Sequence, residues 1–246
     1  MEIGTLIREL GGGMWISAEI FILTLLFSLP LGLVVAFGRM SKIAPVRWIS
    51  KLYISIMRGT PLMLQLMVVY FGPYYLFGMR ISTGYRMTAV LIGFAINYAA
   101  YFAEIYRGGI EAIPVGQYEA AKVLGYSKGQ TFFRIVFPQV CNHILPAVTK
   151  SQIFFKITLM QMIKRIVPPM SNEIITLVKD TSLAFVLAVT EMFTMAKQIA
   201  AAQTSMVPYI AAGIFYYVFN LLVAMIMEKI EEKLNYYHYK IDHESA

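Results

Sequence analysis

Charged residues and cysteine are both scarce in this sequence. Only 14% of the 246 residues are charged and 58% are hydrophobic, whereas a soluble domain has about 25% charged residues. The deficit predicts a chain that crosses a membrane several times. The single cysteine, Cys141, excludes an intramolecular disulfide framework. His143, His238 and His243 do not have the spacing of metal ligands, so no metal site is expected.

Several patterns that would indicate other functions are missing from the sequence. No Gly-x-x-x-x-Gly-Lys-Ser/Thr phosphate loop occurs, so any ATP must be bound by another chain. Without paired carboxylates or a His/Cys cluster, we expect no catalytic residues, no cofactor and no enzymatic activity. The net charge of +7 does not indicate nucleic-acid binding, because the basic residues lie in gaps between apolar runs rather than in one stripe.

Long runs without charge define the expected membrane spans. Residues 20–38, 59–79 and 87–103 are uncharged, and 198–227 is a fourth such run. At about 1.5 Å of helix per residue, these runs approach or exceed a hydrocarbon core of about 30 Å. The first run is too long for the core of a signal peptide, so it predicts a retained helix. Pro208 marks the expected start of the last spanning helix.

A fifth span is expected at 166–190, although it contains Glu173, Lys179 and Asp180. Ionisable groups at membrane depth are costly, so they normally face the bundle interior or a wet cavity. Lys179 and Asp180 are adjacent and cannot face each other on a helix, which favours a cavity-lining role for one of them. We therefore expect an all-α membrane protein, one domain over 1–246, with about five transmembrane helices at 14–38, 61–79, 86–106, 166–190 and 206–228.

Polar residues within or beside the spans are candidates for a substrate path, namely Gln65, Asn97, Glu104, Lys179 and Asp180. Some of them also have a structural interpretation. Gln65 and Asn97 could simply form hydrogen bonds between helices. Glu104 lies three residues before Arg107, which is the spacing of a local helix pair.

The distribution of basic residues sets the expected orientation. With the N-terminus outside, the inside segments 39–58, 107–165 and 228–246 hold 16 Lys and Arg residues, and the outside segments hold four. Because Lys and Arg concentrate on the cytoplasmic side of membrane proteins, we predict an N-out, C-in chain. Residues 228–246, a sustained charged stretch, are expected to form the exposed end of the last helix.

The longest polar interval lies between spans three and four and contains a helix–glycine–helix pattern. It reads Ile-Pro-Val-Gly-Gln-Tyr at 113–118 and continues Glu119-Ala-Ala-Lys-Val-Leu-Gly125. Residues 119–124 are good helix formers, Gly125 suits a left-handed helix stop, and Ser127 can cap the next helix. Pro138 limits that helix. An amphipathic helical hairpin on the cytoplasmic side is suited to docking a partner protein.

This interval resembles the EAA loop of ABC-importer permeases. Glu119, Ala120 and Ala121 are followed after three residues by Gly125, and then after nine residues by Ile-Val-Phe-Pro138, with Phe where Leu is usual. Three flanking segments are similar to those of the polar amino-acid permeases, which import histidine, glutamine or glutamate, arginine, cystine and opines. These segments are Arg58-Gly-Thr-Pro61, Ala103-Glu-Ile-Tyr-Arg-Gly-Gly109 and Lys179-Asp-Thr-Ser-Leu183. From the residues alone, Arg58-Gly-Thr-Pro61 could instead be a positive-inside anchor with proline at a helix start.

The resemblance, which covers nearly the whole chain, implies a mechanism and partners. Two permease chains pair, as a homodimer or heterodimer, and each coupling loop (107–138) sits in a cleft of an ATP-binding subunit. The coupling site would then comprise Glu119, Ala120, Ala121, Gly125 and Pro138. An extracellular or periplasmic solute-binding protein delivers the amino acid to this multi-pass protein of the bacterial cytoplasmic membrane. The alternative, a secondary transporter or channel without an ATPase, predicts internal repeats across the bundle, and five spans cannot divide into equal halves.

The interval after Pro138 departs from the family pattern, in which a Pro-Pro-x-x-Asn sequence follows within a few residues. Here Pro138 and Pro168 are 30 positions apart. Residues 128–149 laid over 150–171 give eight identities in 22 positions, which indicates a tandem duplication. The second copy places Cys141 at the position of Glu119, so only one coupling site is expected. The insert, about 140–161, is expected to stay on the cytoplasmic side.

Overall fold

Helices form all the regular structure in the part of the chain that the computed structural model describes, residues 3–111 and 152–244. Side chains are described for 3–111 and 166–233. In chain order the helices are α1 (Ile3–Arg39), α2 (Ala44–Gly59), α3 (Leu62–Phe77), α4 (Tyr85–Glu111), α5 (Gln152–Asp180), a 3-10 helix (Thr181–Leu187), α6 (Met192–Gln203) and α7 (Val207–Glu244). The all-helical class predicted from the sequence is confirmed for these residues.

The backbone divides into two compact units. The first comprises Met1–Glu104 with Ser171–Ile226, and the second comprises Ile105–Met170 with Met227–Ala246. Within the second unit, α4 and α5 approach closely at a glycine. A Cβ atom added at Gly109 would overlap the side chain of Ile166. The groups that bear on function lie, among the described side chains, mostly in the first unit.

The first helix, α1, has many small residues among its buried positions and exposes several of its large ones. Its buried side includes small residues at one-turn and two-turn spacing, namely Gly13, Ser17, Thr24, Ser28 and Gly32. A Cβ atom at Gly32 would lie 2.9 Å from the Cβ of Phe102, so α1 and α4 are in close backbone contact there. Trp15 and Val34 on the other side are exposed. Apolar residues on all sides with small residues at the contacts are typical of membrane helices.

A sharp break separates α2 from α3. The two helices are bent by 112° at Thr60 and Pro61, since proline cannot continue the hydrogen-bond ladder of the preceding helix. Pro61 has extended backbone angles and serves as the N-cap of α3. At the other end of α3, Gly78 adopts φ +64° and its amide donates to the carbonyl of Tyr74 at 2.9 Å. That left-handed conformation favours glycine.

The central helix of the first unit is α4. Its buried positions alternate small alanines with aromatic rings, of which Phe94 and Phe102 are fully buried. The ring of Phe94 stacks on Tyr98 with 6.4 Å between centroids. The alanines at 95, 99, 100 and 103 leave room for neighbouring helices to approach closely. This packing determines which side of α4 is buried in the first unit, and Asn97 and Tyr98 lie on that side.

A buried carboxylate, Glu191, begins α6. Its oxygens accept hydrogen bonds from the backbone amides of Phe193 at 2.7 Å and Thr194 at 2.8 Å, which caps the helix. The hydroxyls of Thr194 and of Tyr216 on α7 donate to the same carboxylate at 2.9 Å. Burial holds the pKa of Glu191 above its usual value, and these hydrogen bonds offset part of that increase. Since Ser17 on α1 also reaches the carboxylate, at 3.5 Å, one side chain links three helices.

The last helix, α7, begins at Val207 with Pro208 in its first turn, as the sequence predicted. Large apolar side chains project outward along the helix, and Ile214 and Val218 are examples of exposed ones. Its backbone continues as helix to Glu244. The expectation that the charged stretch after residue 228 continues the last helix is therefore confirmed for the backbone.

The observed helices can be compared with the five predicted spans. By length and composition, α1, α4 and Val207–Lys233 of α7 are suited to cross a membrane, and the bent pair of α2 and α3 is a fourth candidate. The predicted span at 166–190 differs in its bounds, because α5 begins at Gln152, passes through Pro168 and Pro169, and ends at Asp180. The number of spans, the N-out orientation and the single-domain assignment stay predictions.

Candidate functional site

A tyrosine–aspartate hydrogen bond joins α4 to the end of α5. The Tyr98 hydroxyl donates to Oδ2 of Asp180 at 2.7 Å. The ring of Tyr98 is almost fully buried and is held between its helix neighbours Phe94 and Phe102. Because the ring cannot easily turn, the hydroxyl fixes the position of the Asp180 carboxylate. The adjacent Lys179 is exposed and interacts electrostatically with that carboxylate.

A second group of charges lies at the end of α2. The guanidinium carbon of Arg58 is 5.3 Å from the ring centroid of Tyr101, a cation–π distance. Arg58 also interacts electrostatically with the half-buried Glu173 on α5. Glu173 in turn interacts with Asp180. We call these two cationic and two acidic side chains of the first unit the charged cluster: Arg58, Glu173, Lys179 and Asp180.

This arrangement has a specific chemical capacity. Arginine and lysine can donate charge-assisted hydrogen bonds to a carboxylate. Aspartate and glutamate can accept such bonds from an ammonium group. Both signs are present in the charged cluster, and Arg58 and Lys179 remain exposed. A small zwitterion can satisfy both signs at once, which neither a simple cation nor a simple anion can do.

Glu104, another predicted path residue, lies on α4 and interacts with an arginine of α1. Its Oε1 is 3.9 Å from Nε of Arg39 at the end of α1, and both side chains are about three-quarters buried. Arg107 forms a 2.6 Å contact with Glu111, and its local pair with Glu104 stays a prediction. The Arg39–Glu104 pair connects the C-terminal end of α1 to α4.

The predicted path residues Gln65 and Asn97 meet at the break between α2 and α3. The Asn97 amide donates to Oε1 of Gln65 at 2.9 Å and to the carbonyl of Met57 at 3.1 Å. The Gln65 amide donates to the carbonyls of Met57 at 2.9 Å and Thr60 at 3.1 Å. Where a helix breaks, carbonyls lose their normal partners. These two amides supply replacements, so their hydrogen bonds hold the bend; their role as path residues stays a prediction.

The structure adds residues that the sequence did not identify as parts of a site. Tyr98 and Tyr101 lie on α4 among aromatic residues with three- and four-residue spacing, which in the sequence is typical of a helix core. Glu173 was noted only as an unusual charge in a span. The acidic pair at 173 and 180 is seven residues apart, or about two helical turns, and that spacing could have shown that both lie on one side of α5.

The predicted coupling residues lie in a part of the chain that the structure does not describe. Glu119, Ala120, Ala121, Gly125 and Pro138 lie outside the described residues, as do residues 140–151 of the insert. Among the described residues, no group of three His, Cys, Asp or Glu side chains is placed to hold a metal ion.

Comparison with known proteins gives a consistent family match. The family model described as binding-protein-dependent transport system inner membrane component matches residues 28–149 and 147–236. The two matches meet at 147–149, within the segment that the sequence shows as duplicated. Together they cover most of the chain.

Individual relatives match over most of their length. The L-cystine transport system permease protein TcyB of Bacillus subtilis (strain 168) is 34% identical over 230 residues, covering 93% of this chain and 87% of the relative. The arginine transport system permease protein ArtQ of the same organism is 34% identical over 223 residues, covering 90% of each. The putative glutamine transport system permease protein GlnP of Rickettsia bellii (strain RML369-C) is 31% identical, covering 90% of this chain and 91% of the relative.

Solved structures share the fold. A crystal structure of an amino acid ABC transporter with histidines has a chain that is 27% identical, with a TM-score of 0.75 and coverage of 95% of this chain and 99% of that one. An inward-facing structure of the MetNI methionine ABC transporter has a TM-score of 0.66 with 14% identity and the same coverage. The second likeness concerns the fold alone.

Proposed function

Because this chain belongs to the family of binding-protein-dependent transport system inner membrane components, we propose that it is the permease subunit of an ATP-driven importer of polar amino acids. The relatives named as cystine, arginine and glutamine permeases match it nearly end to end. The observation that supports the substrate class is the charged cluster, because it groups two cationic and two acidic side chains in one unit.

The charged cluster supports a mode of binding. Arg58 and Lys179 are the donors available to an α-carboxylate, and Asp180 and Glu173 are the acceptors available to an α-ammonium group. Tyr98 contributes by holding the Asp180 carboxylate in place. The amino-acid side chain would be selected by other contacts, and cystine, arginine and glutamine have only the zwitterionic backbone in common. The cluster therefore fits the part that these substrates share.

Energy for transport comes from partner subunits in this proposal. The sequence has no phosphate loop, and the EAA-like segment provides an acidic residue, Glu119, for a cleft in an ATP-binding subunit. A second permease chain completes the path, and a solute-binding protein outside the membrane delivers the substrate. In the opposing hypothesis, a secondary transporter or channel, uptake would proceed without ATP.

Uptake by the reconstituted complex tests the function. The chain, its second permease subunit, ATP-binding subunits and solute-binding protein are placed in proteoliposomes, and uptake of labelled amino acids is measured with and without internal ATP. ATP-dependent uptake of one or more polar amino acids is expected. Uptake that persists without ATP would support the secondary transporter instead.

The variant Asp180→Asn tests the charged cluster in the same assay. Loss of one charged hydrogen bond costs about 1.5–3 kcal/mol, so amino-acid uptake at low substrate concentration should fall about 10- to 100-fold. Tyr98→Phe should cause a smaller loss, because the carboxylate remains but is less firmly held. Glu9→Gln on the exposed side of α1 is the matched control. Equal uptake by Asp180→Asn and the control would remove Asp180 from the substrate path.

Cysteine labelling tests the proposed orientation and the position of the insert. In a Cys141→Ser background, Gln152→Cys and Tyr239→Cys are introduced separately. An impermeant thiol reagent should label neither in intact cells and both after the membrane is permeabilised, because both residues are proposed to be cytoplasmic. Labelling of either residue from outside would show that the number of crossings or the orientation is wrong.

A further inference from the structure

The second helix, α2, divides into three sides. One side packs into the first unit through Ile54, which is buried, and Tyr53, whose hydroxyl donates to the carbonyl of Ile96. Ser50 adds a contact on this side, because a Cβ at Gly38 of α1 would overlap its hydroxyl. The packed side fixes which of the remaining residues point away from the protein.

A second side of α2 is apolar and exposed. Trp48 and Ile49 are 64% and 61% exposed, and Leu52 and Ile56 are 43% and 47% exposed. Their positions at one- and two-turn spacing place them on one continuous stripe. In a chain of a membrane-protein family, an exposed apolar stripe beside a tryptophan is suited to the boundary between headgroups and acyl chains.

The third side is basic. Arg47 and Lys51 are four residues apart, so they lie one above the other, and both are exposed. Lys42, just before the helix, is exposed as well. Residues 40–59 contain no aspartate or glutamate. On a helical wheel at about 100° per residue, the basic side lies between the packed side and the apolar stripe. Arg58 shares this side at the C-terminal end of α2, where it lies over the Tyr101 ring, so the long basic side chains that can extend along a membrane surface are those of the N-terminal half.

The bend between α2 and α3 sets the orientation of α2 relative to α3. The angle between the two helices is 112°, so α2 lies close to perpendicular to α3. If α3 runs across the bilayer, α2 runs nearly along its surface. Its 16 residues give about 24 Å of helix, long enough to contact several lipid headgroups. In the proposed orientation this is the cytoplasmic leaflet.

We propose that α2 is an interfacial helix that binds the headgroups of anionic phospholipids through Lys42, Arg47 and Lys51. Its apolar stripe enters the acyl-chain boundary and its basic side lies at the level of the lipid phosphates. The charge of the segment favours lipid as the occupant, because a second copy of α2 would bring the same basic residues together. The inference uses the proposed orientation of the chain and is independent of the substrate that is imported.

Tryptophan quenching by brominated lipids tests the proposal directly. The sequence has two tryptophans, so Trp15→Phe leaves Trp48 as the sole fluorophore. The full chain, assembled with its partner subunits carrying no tryptophan near this helix, is reconstituted into vesicles with brominated phosphatidylglycerol or brominated phosphatidylcholine at equal bromine content. Quenching of Trp48 is expected to be several-fold more effective with phosphatidylglycerol, and the preference should weaken at high salt.

Charge variants and controls decide the outcome. Each basic residue near an anionic surface strengthens binding about fivefold, so Arg47→Gln with Lys51→Gln should abolish most of the phosphatidylglycerol preference. Exchange of the two residues, Arg47→Lys with Lys51→Arg, should retain it. Arg80→Gln, before α4, is the matched control and should leave the preference unchanged. Excess free phosphate should not compete, since the acyl chains contribute to binding.

Three results would overturn the inference. Absence of quenching by either lipid would mean that protein covers the apolar stripe, as a second copy of the chain would. Equal quenching by both lipids would mean membrane contact without headgroup selection. A preference that survives the double neutralisation would place the anionic-lipid contact elsewhere. Because quenching requires no transport, none of these results depends on whether amino acids are imported.

Discussion

Replacement of Gly13 by alanine is expected to destabilise the protein, whereas the same change at Gly12 is expected to stabilise it. Gly13 lies where α1 meets the start of α6. A Cβ atom there would be 2.9 Å from the Cα of Met192 and 3.0 Å from its amide nitrogen. Those are backbone atoms, which cannot rotate away as a side chain can. At Gly12, which faces outward, no atom lies within 4 Å of the added Cβ.

The two variants share one energetic contribution and differ in another. Alanine is more favourable than glycine in a helix by about 0.5–1 kcal/mol, and this gain applies to both. Overpacking at a rigid contact costs about 1–3 kcal/mol, and it applies only to Gly13→Ala. The difference between the variants therefore isolates the clash, at about 1–3 kcal/mol. For a chain of this size that corresponds to roughly 2–12 °C in the unfolding temperature.

Thermal unfolding of the variants in the same detergent measures this difference. All scans use one heating rate, because the apparent midpoint of an irreversible unfolding transition depends on that rate. Gly11→Ala, also free of neighbours within 4 Å, should behave like Gly12→Ala. If Gly13→Ala unfolds at the same temperature as these two controls, the close contact between α1 and α6 is not present in the protein.

Three further predictions concern other sites. Glu191→Ala should lower the free energy of unfolding by about 2–4 kcal/mol, because five donors lose their acceptor, and Tyr216→Phe by only about 1 kcal/mol; equal losses in the same thermal assay would contradict the cap. Gln65→Leu should cost about 1–3 kcal/mol, since the carbonyls at the α2–α3 bend lose their donor. The exposed Gln198→Leu is its control, and no difference between the two would refute that role. Glu119→Lys should abolish ATP-dependent uptake in vesicles without preventing membrane insertion, and normal uptake would exclude Glu119 from coupling.

The sequence predicted the features that depend on composition alone. The shortage of charge and the long apolar runs anticipated α1, α4 and α7, because a helix in a bilayer must satisfy its backbone internally and present apolar side chains. Pro208 anticipated the start of α7, since a proline in the first helical turn leaves no hydrogen bond unmade. The spacing of Glu119, Gly125 and Pro138 anticipated the family, which the comparisons then showed.

Short helices were harder to recognise. The sequence did not single out α2 or α6 as separate helices, because each lies between longer segments and lacks a run of membrane length. α2 reads in the sequence as part of a polar connection, 39–58, that holds five basic residues. Its apolar stripe becomes evident only when the packed side is known. The second half of α6 reads as the beginning of the last apolar run. The helix itself ends before that run does, at Thr204, which has a left-handed backbone conformation.

What the sequence by itself determined is the helical membrane class, the position of the long apolar helices and the family, since these follow from local composition and from motifs of fixed spacing. What only the tertiary structure decided is the partner of each polar side chain. Asp180 meets Tyr98 from 82 positions away, and Asn97 meets Gln65 from 32 positions away. The charge of a residue is a local property. The residue that it contacts depends on how three or four helices pack together, and no local sequence pattern specifies a partner so many positions away.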